Sequence, residues 1–162
     1  VSSGHFDSLH LPAYITDRVE MLPVEDIILA VFADELPELP ISSLIPFDLA
    51  NTDFFAIVRR IPLMGNWGGD PRFLDKAQIS IHVFARDPNA DEKGAVISEA
   101  IRVTLRNAAT KQTVYPDLGH VVKVEMRAEP AQKPDWASGS ADLPSGYFRH
   151  EAQYALTIRR PL

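Results

Sequence analysis

The sequence predicts an α+β domain: a largely antiparallel sheet with its helices packed on one face, in the order α-β-β-α-β-β. Three observations predict it. Two segments carry apolar residues at helical spacing and begin with helix start signals. Four segments read as strands, three by alternation and one by its aromatic and β-branched content. The strands fall in two pairs separated by a helix, which is the pattern of a sheet covered on one side. The chain has 162 residues, a length that favours one domain.

Residues 1–22 read as an N-terminal arm or irregular lead-in, and 23–162 as the folded domain. Pro23 opens "PVEDIILAVFADEL". Proline at the first helical position, with Glu25 and Asp26 in the first turn, starts a helix. Val24, Ile27, Ile28, Val31 and Leu36 form its apolar stripe, and Pro37 and Pro40 end it. "ELPISSLIPFDLANT" is a proline-punctuated connection. "DFFAIVRRIP" is rich in aromatic and β-branched residues and stops at Pro62, so it reads as a strand. The loop "LMGNWGGDPRFLD" follows.

"KAQISIHVFAR" alternates cleanly, with Ala77, Ile79, Ile81, Val83 and Ala85 on one side and Gln78, Ser80, His82 and Phe84 on the other. The second helix is announced by Asp87 or Asn89 as cap, Pro88 nearby, and Asn89 with Glu92 as a capping box. Ala90, Ile97, Ala100, Ile101 and Leu105 form its core stripe, while Arg102, Arg106 and Lys111 sit late, where a helix dipole favours cations. "GHVVKVEMRAEP" sets Val122, Val124, Met126 and Ala128 against Lys123, Glu125, Arg127 and Glu129. A second loop, "AQKPDWASGSADLPSG", leads to "YFRHEAQYALTIRR", where Phe148, Ala152, Tyr154, Leu156 and Ile158 share one parity. Each strand pair is thus joined by a hairpin loop of unusual length, and loops that long are commonly functional.

Composition excludes several classes of function. With a net charge of −6, the chain is a poor candidate for a nucleic-acid clamp, which needs a basic face to displace counterions. There is no cysteine, so disulfides, thiolate metal sites and cysteine nucleophiles are excluded, and a reducing cytosol suits the chain. The start lacks the pattern of a signal peptide, and the longest apolar cluster, 27–33, is too short to span a bilayer; no membrane partner is expected.

Catalytic and cofactor motifs are equally missing. The histidines have no HxxxH or HExxH spacing, and strand parity scatters His82, His120 and His150 unless a bulge intervenes. "GNWGGD" lacks the lysine and hydroxyl of a phosphate-binding loop, and no GxSxG elbow exists. Asp70 and Asp75 read as turn and strand-start residues. No catalytic, metal or cofactor residue is therefore assigned.

Large aromatics are the remaining signal. Trp67 and Phe73 flank the first loop, Trp136 and Tyr147 lie in or beside the second, and Phe84 falls on the polar side of its strand. Such rings either fold back onto their own domain or anchor a partner. "VRRIP" at 58–62 is echoed by "IRRPL" at 158–162. Adjacent arginines on a strand point to opposite faces, so each pair offers one outward charge, by strand-end coincidence or for an intersubunit salt bridge.

The element order, "VRRIP…GGDPRFLDKAQISIHVFARD", the alanine-rich helix, "VVKVEMRAEPAQKPDW" and the closing "YALTIRR" resemble tail terminator proteins of long-tailed bacteriophages, especially those of actinobacteria. The resemblance spans about 23–160. It implies a structural virion protein and not an enzyme: a ring, expected to be a hexamer, that caps the tail tube, stops its growth and joins the tail to the head-completion or neck protein. It implies assembly in the bacterial cytoplasm, a place at the tail–neck junction, and DNA passing through the ring's lumen without specific binding. A neutral or acidic lumen would let DNA slide. By this pattern the long loops around 67–73 and 133–147 contact neighbouring subunits, the tube or the neck, and the candidate contact residues are Trp67, Asp70, Arg72, Phe73, Phe84, Trp136 and Tyr147. A neck or head-closure protein, or a small α+β enzyme or ligand-binding domain, are the other readings.

Overall fold

The structure is a computed structural model, and it describes residues 10–16, 23–46, 48, 51–62, 74–86, 88–133 and 147–161. They form one α+β domain with a mixed five-stranded sheet and three helices. The elements are α1 (Ala13–Thr16), α2 (Val24–Glu35), β1 (Ile41–Ser42), β2 (Phe54–Ile61), β3 (Leu74–Arg86), α3 (Ala90–Lys111), β4 (His120–Lys133) and β5 (Tyr147–Arg159). Two of these were not expected: the single turn α1, and the two-residue strand β1, which pairs in parallel with β2 and makes the sheet mixed. Both are too short for periodicity to register. The tips of the two expected hairpin loops, 63–73 and 134–146, lie outside the described residues.

The strand order is β1-β2-β3-β5-β4, with every pair but the first antiparallel. β5 is thus inserted between β3 and β4, which run parallel to each other and are connected by α3, a split β-α-β arrangement.

Both long helices cover one face. Val24, Ile27, Ile28, Val31 and Phe32 of α2, and Ile101, Leu105 and Ala108 of α3, share one buried cluster with Val58, Ile79, Ile81, Tyr154, Leu156 and Ile158 of the sheet. Strand parity assigns β3 and β5 to this core as the alternation requires. Fully burying side chains of this size contributes about 1.5–3 kcal/mol each.

Local signals at the helix ends fare less well. Pro23 is the N-cap of α2 rather than its first helical residue. Asn89 is the N-cap of α3, but its backbone is left-handed (φ 59°) and its side chain makes no capping hydrogen bond; the capping box does not form. Gly94 lies inside α3 because the His150 ring occupies the space a Cβ would need, and this close approach offsets the roughly 1 kcal/mol that glycine costs a helix.

β4 also departs from simple alternation. Its pairing with β5 shifts register between Val121 and Lys123, Met126 and Ala128, and Ala128 and Ala131. The first bulge turns Val121 and Val124 inward in place of Val122 and Val124, and the later ones put Ala128 on the exposed side. Pro130 is accommodated because β4 is an edge strand. Among the described residues no helix is long and apolar enough to cross a membrane.

Candidate interaction surface

The far face of the sheet lies opposite α2 and α3, and strand parity decides what it presents. From β2 come Phe55, Ile57 and Arg59; from β3 the even residues 76–86; from β5 the odd residues 147–159. The face divides into three zones along the strands.

At one end is an aromatic cluster. The Phe55 and Phe84 rings stack at 4.8 Å, and Tyr147 meets Phe55 edge-on at 5.6 Å. The Tyr147 hydroxyl donates to the Thr52 carbonyl, and the Arg86 guanidinium lies 5.9 Å from the Tyr147 ring centre. Burial pushes the Tyr147 hydroxyl pKa up, while the Arg86 charge pulls against it.

The middle is a polar ladder. Ser80 Oγ donates to Glu151 Oε1 at 3.0 Å and lies 3.1 Å from His82 Nε2. Gln153 donates to the same Glu151 oxygen, and Gln78 to Gln153, both at 3.3 Å. Serine, histidine and a carboxylate thus meet, but in the wrong order for nucleophilic catalysis. An activated serine gives its proton to histidine, and the carboxylate orients that histidine from the other side. Here the hydroxyl lies between the ring and the carboxylate and donates to Glu151.

The third zone is basic. Arg59, Lys76 and Arg159 are exposed, and β4 adds Lys123 and Arg127. Among the described residues the acid set between these cations is Glu125, 2.7 Å from Lys123 and 3.2 Å from Arg127. The hydrogen bond from Lys123 and its charge hold the Glu125 carboxyl below the usual range, with smaller help from Arg127 and from Lys76 two strands away. Lys76 and Glu125 therefore share this face.

Of the residues the sequence singles out as contacts, Trp67, Asp70, Arg72, Phe73 and Trp136 lie outside the described residues. Phe84 and Tyr147 are described, and the structure brings them together: both are buried in the aromatic cluster, at 5% and 3% exposure. These two rings fold back onto their own domain. The basic zone was missed, although strand parity applied to charges rather than to apolar residues picks out Lys76, Lys123, Arg127 and Arg159.

The arginine echo has an intramolecular explanation. The inward member of each pair, Arg60 and Arg160, reaches the carboxylate of Asp75, which is fully buried. Arg60 binds it with two nitrogens at 3.0 and 3.1 Å, and Arg160 Nη2 at 2.8 Å. Asp75 is thus the centre of a buried triad rather than a simple strand-start residue. The outward members, Arg59 and Arg159, belong to the basic zone. Histidine placement follows parity for His82 and His150, which lie on opposite faces. His120 pairs with Arg159 and sits on the open face, because the bulge at Val122 inverts the expected parity.

A groove of about 420 Å³ lies between α3 and β4, lined by Glu99, Arg102, Met126, Glu129 and His150. His150 is buried and its Nδ1 has no hydrogen-bond partner. Burial lowers its pKa, and the charge of Asp91 opposes the shift. Among the described residues no group of three or more histidine, aspartate or glutamate side chains is placed to hold a metal ion. No protein-family model matches the chain, and no curated protein matches it.

Proposed function

We propose that this chain is a ring-forming structural protein of a bacteriophage tail, a tail terminator that caps the tube and receives the neck. The observation that carries the reading is the open sheet face. Four long strands form a broad sheet whose far side, opposite α2 and α3, ends in an exposed basic zone, a surface suited to contact with a charged neighbour. The fold class agrees with the sequence resemblance, which spans nearly the whole chain. In this reading the protein makes and breaks no bond. The expected ring is a hexamer, its lumen passes DNA without specific contacts, and its partners are the tube protein and a head-completion protein.

The serine–histidine–glutamate ladder gives the enzyme reading no support, since its hydroxyl is held as a donor. The test is electron microscopy of phage tails assembled without this protein. Tubes of uncontrolled, excessive length are the expected result. Tubes of normal length lacking heads would move the protein to the neck. Unaltered particles would end the proposal.

A further inference from the structure

Among the described residues, two surfaces carry exposed charges of opposite sign. The segment 23–58 holds seven acidic residues and no lysine or arginine. It comprises α2, β1 and most of β2; Asp34 and Glu35 turn toward the end of α3, through Tyr115 and Lys111, while Glu38 and Asp48 flank β1 along the chain. Several of these acids are engaged within the chain: Glu35 with Lys111 at 2.8 Å, Asp53 with Lys93 at 3.0 Å, and Glu25 with the Arg60 backbone N–H at 2.8 Å. Asp34, Glu38 and Asp48 are exposed and form no ion pair among the described residues. On the open sheet face the situation is reversed. Arg59, Lys76 and Arg159 are exposed and likewise form no ion pair among the described residues.

A chain with net charge −6 that still sets Arg59, Lys76 and Arg159 side by side on one face has complementary acidic surface on every other copy of itself. We propose that the basic zone of the open sheet face, centred on Lys76 and Arg159, docks on the acidic 23–58 segment of a second copy, around the exposed Glu38 and Asp48 that flank β1 along the chain. Because the two surfaces differ, the contact is head to tail. Contacts of that kind propagate from copy to copy and close into a ring when the rotation between neighbours allows. Complementary charge sets the register and the rate of encounter. The proposal rests on the ring reading above and specifies its subunit contact.

Nucleic acid is the other polyanion that a basic face could take. Two facts favour the second copy. The overall negative charge opposes approach of a phosphate backbone, and a basic surface turned to the lumen would hold DNA rather than pass it.

The absence of cysteine makes the test direct. Two single variants of the full chain, Lys76→Cys and Glu38→Cys, are mixed at low salt and treated with a bismaleimide cross-linker. Head-to-tail docking yields the mixed dimer in at least about tenfold excess over either homodimer, and salt suppresses it as charges are screened. Reversing the basic zone, Lys76→Glu with Arg159→Glu, abolishes self-association in sedimentation. Adding Glu38→Lys and Asp48→Lys to the same chain restores it. Circular dichroism melts confirm that each variant is folded.

No excess of the mixed dimer overturns the proposal, as does self-association that survives the reversal. Loss of binding to a DNA fragment on reversal, with self-association unchanged, assigns the face to nucleic acid and also overturns it. A mixed dimer from a protein whose loss leaves tails unaltered would retain the contact and discard the tail function. Overlong tails together with charge-independent association would do the opposite.

Discussion

Arg160 Nη2 lies 2.8 Å from Asp75 Oδ2, with the two side chains 4% and 1% exposed. Arg60 completes the triad from β2. The ends of β2, β3 and β5 are thus held by one carboxylate between two guanidinium groups. Removing one partner of a buried ion pair leaves a charge with no compensation. Asp75→Asn is expected to destabilise the fold by about 3–5 kcal/mol, read by thermal or urea denaturation. Arg59→Ala and Arg159→Ala, on the exposed side of the same strands, are expected to change stability by no more than about 0.5 kcal/mol. Equal losses from inner and outer arginines would refute the triad's role.

Phe84→Ala tests whether that ring belongs to the fold. Stacked on Phe55 and buried, it is expected to cost about 3–5 kcal/mol on truncation. A change below about 0.5 kcal/mol, the range of exposed positions, would return it to the list of partner anchors.

Tyr154 is fully buried beneath α3 and its hydroxyl has no hydrogen-bond partner. An unsatisfied buried hydroxyl carries a desolvation cost, so Tyr154→Phe is expected to be neutral or to stabilise by about 1 kcal/mol. Burial is the main cause that pushes the pKa up to about 12, with Arg102 lowering and Glu99 raising it by less. Between the ordinary value of 10.0 and that raised value, the unfolded chain has shed the proton that the folded protein keeps. Stability is therefore full below the ordinary value and falls as pH rises through the window. Tyr115, also raised to about 12 by burial and its bond to Asp34, adds to the fall. Alkaline melts should show the decline, shallower in Tyr154→Phe.

His150 gives the opposite arm. Its lowered pKa means that, as pH falls through the ordinary value of 6.5, the unfolded chain takes up a proton before the folded protein does. Its contribution is intact above that value and is lost on acidification. His150→Gln should flatten the acid slope of the melting temperature. Gly94→Ala should destabilise by about 1–3 kcal/mol through overlap with the imidazole, despite better helix propensity. The loss should shrink in Gly94→Ala/His150→Ala, a coupling that a double-mutant cycle measures directly.

Periodicity made most of the fold legible. β3 and β5 bury one side along their length, so Ile79, Ile81, Tyr154 and Leu156 could be assigned to the core from alternation alone. α2 and α3 showed their apolar stripes for the same reason. Register was harder to read. β4 slips at three points, and a slip moves every following side chain to the other face, so His120 and Ala128 were placed on the wrong sides. The echo of paired arginines was visible, but its meaning depended on Asp75, which lies far from both pairs in sequence. The open face remained unseen because apolar residues alone were followed across the strands. There the informative side chains were Lys76, Lys123 and Arg159, which gain significance only when three strands are laid side by side.

The irregular β4 has one more consequence. Fourteen residues along an outer edge offer a long row of backbone donors and acceptors, the template from which runaway strand addition and fibrils grow. Three dislocations, a proline and alternating charges make that row unreadable to an incoming strand. In the ring proposed above, copies crowded against one another would thus assemble in a finite way and stay clear of amyloid.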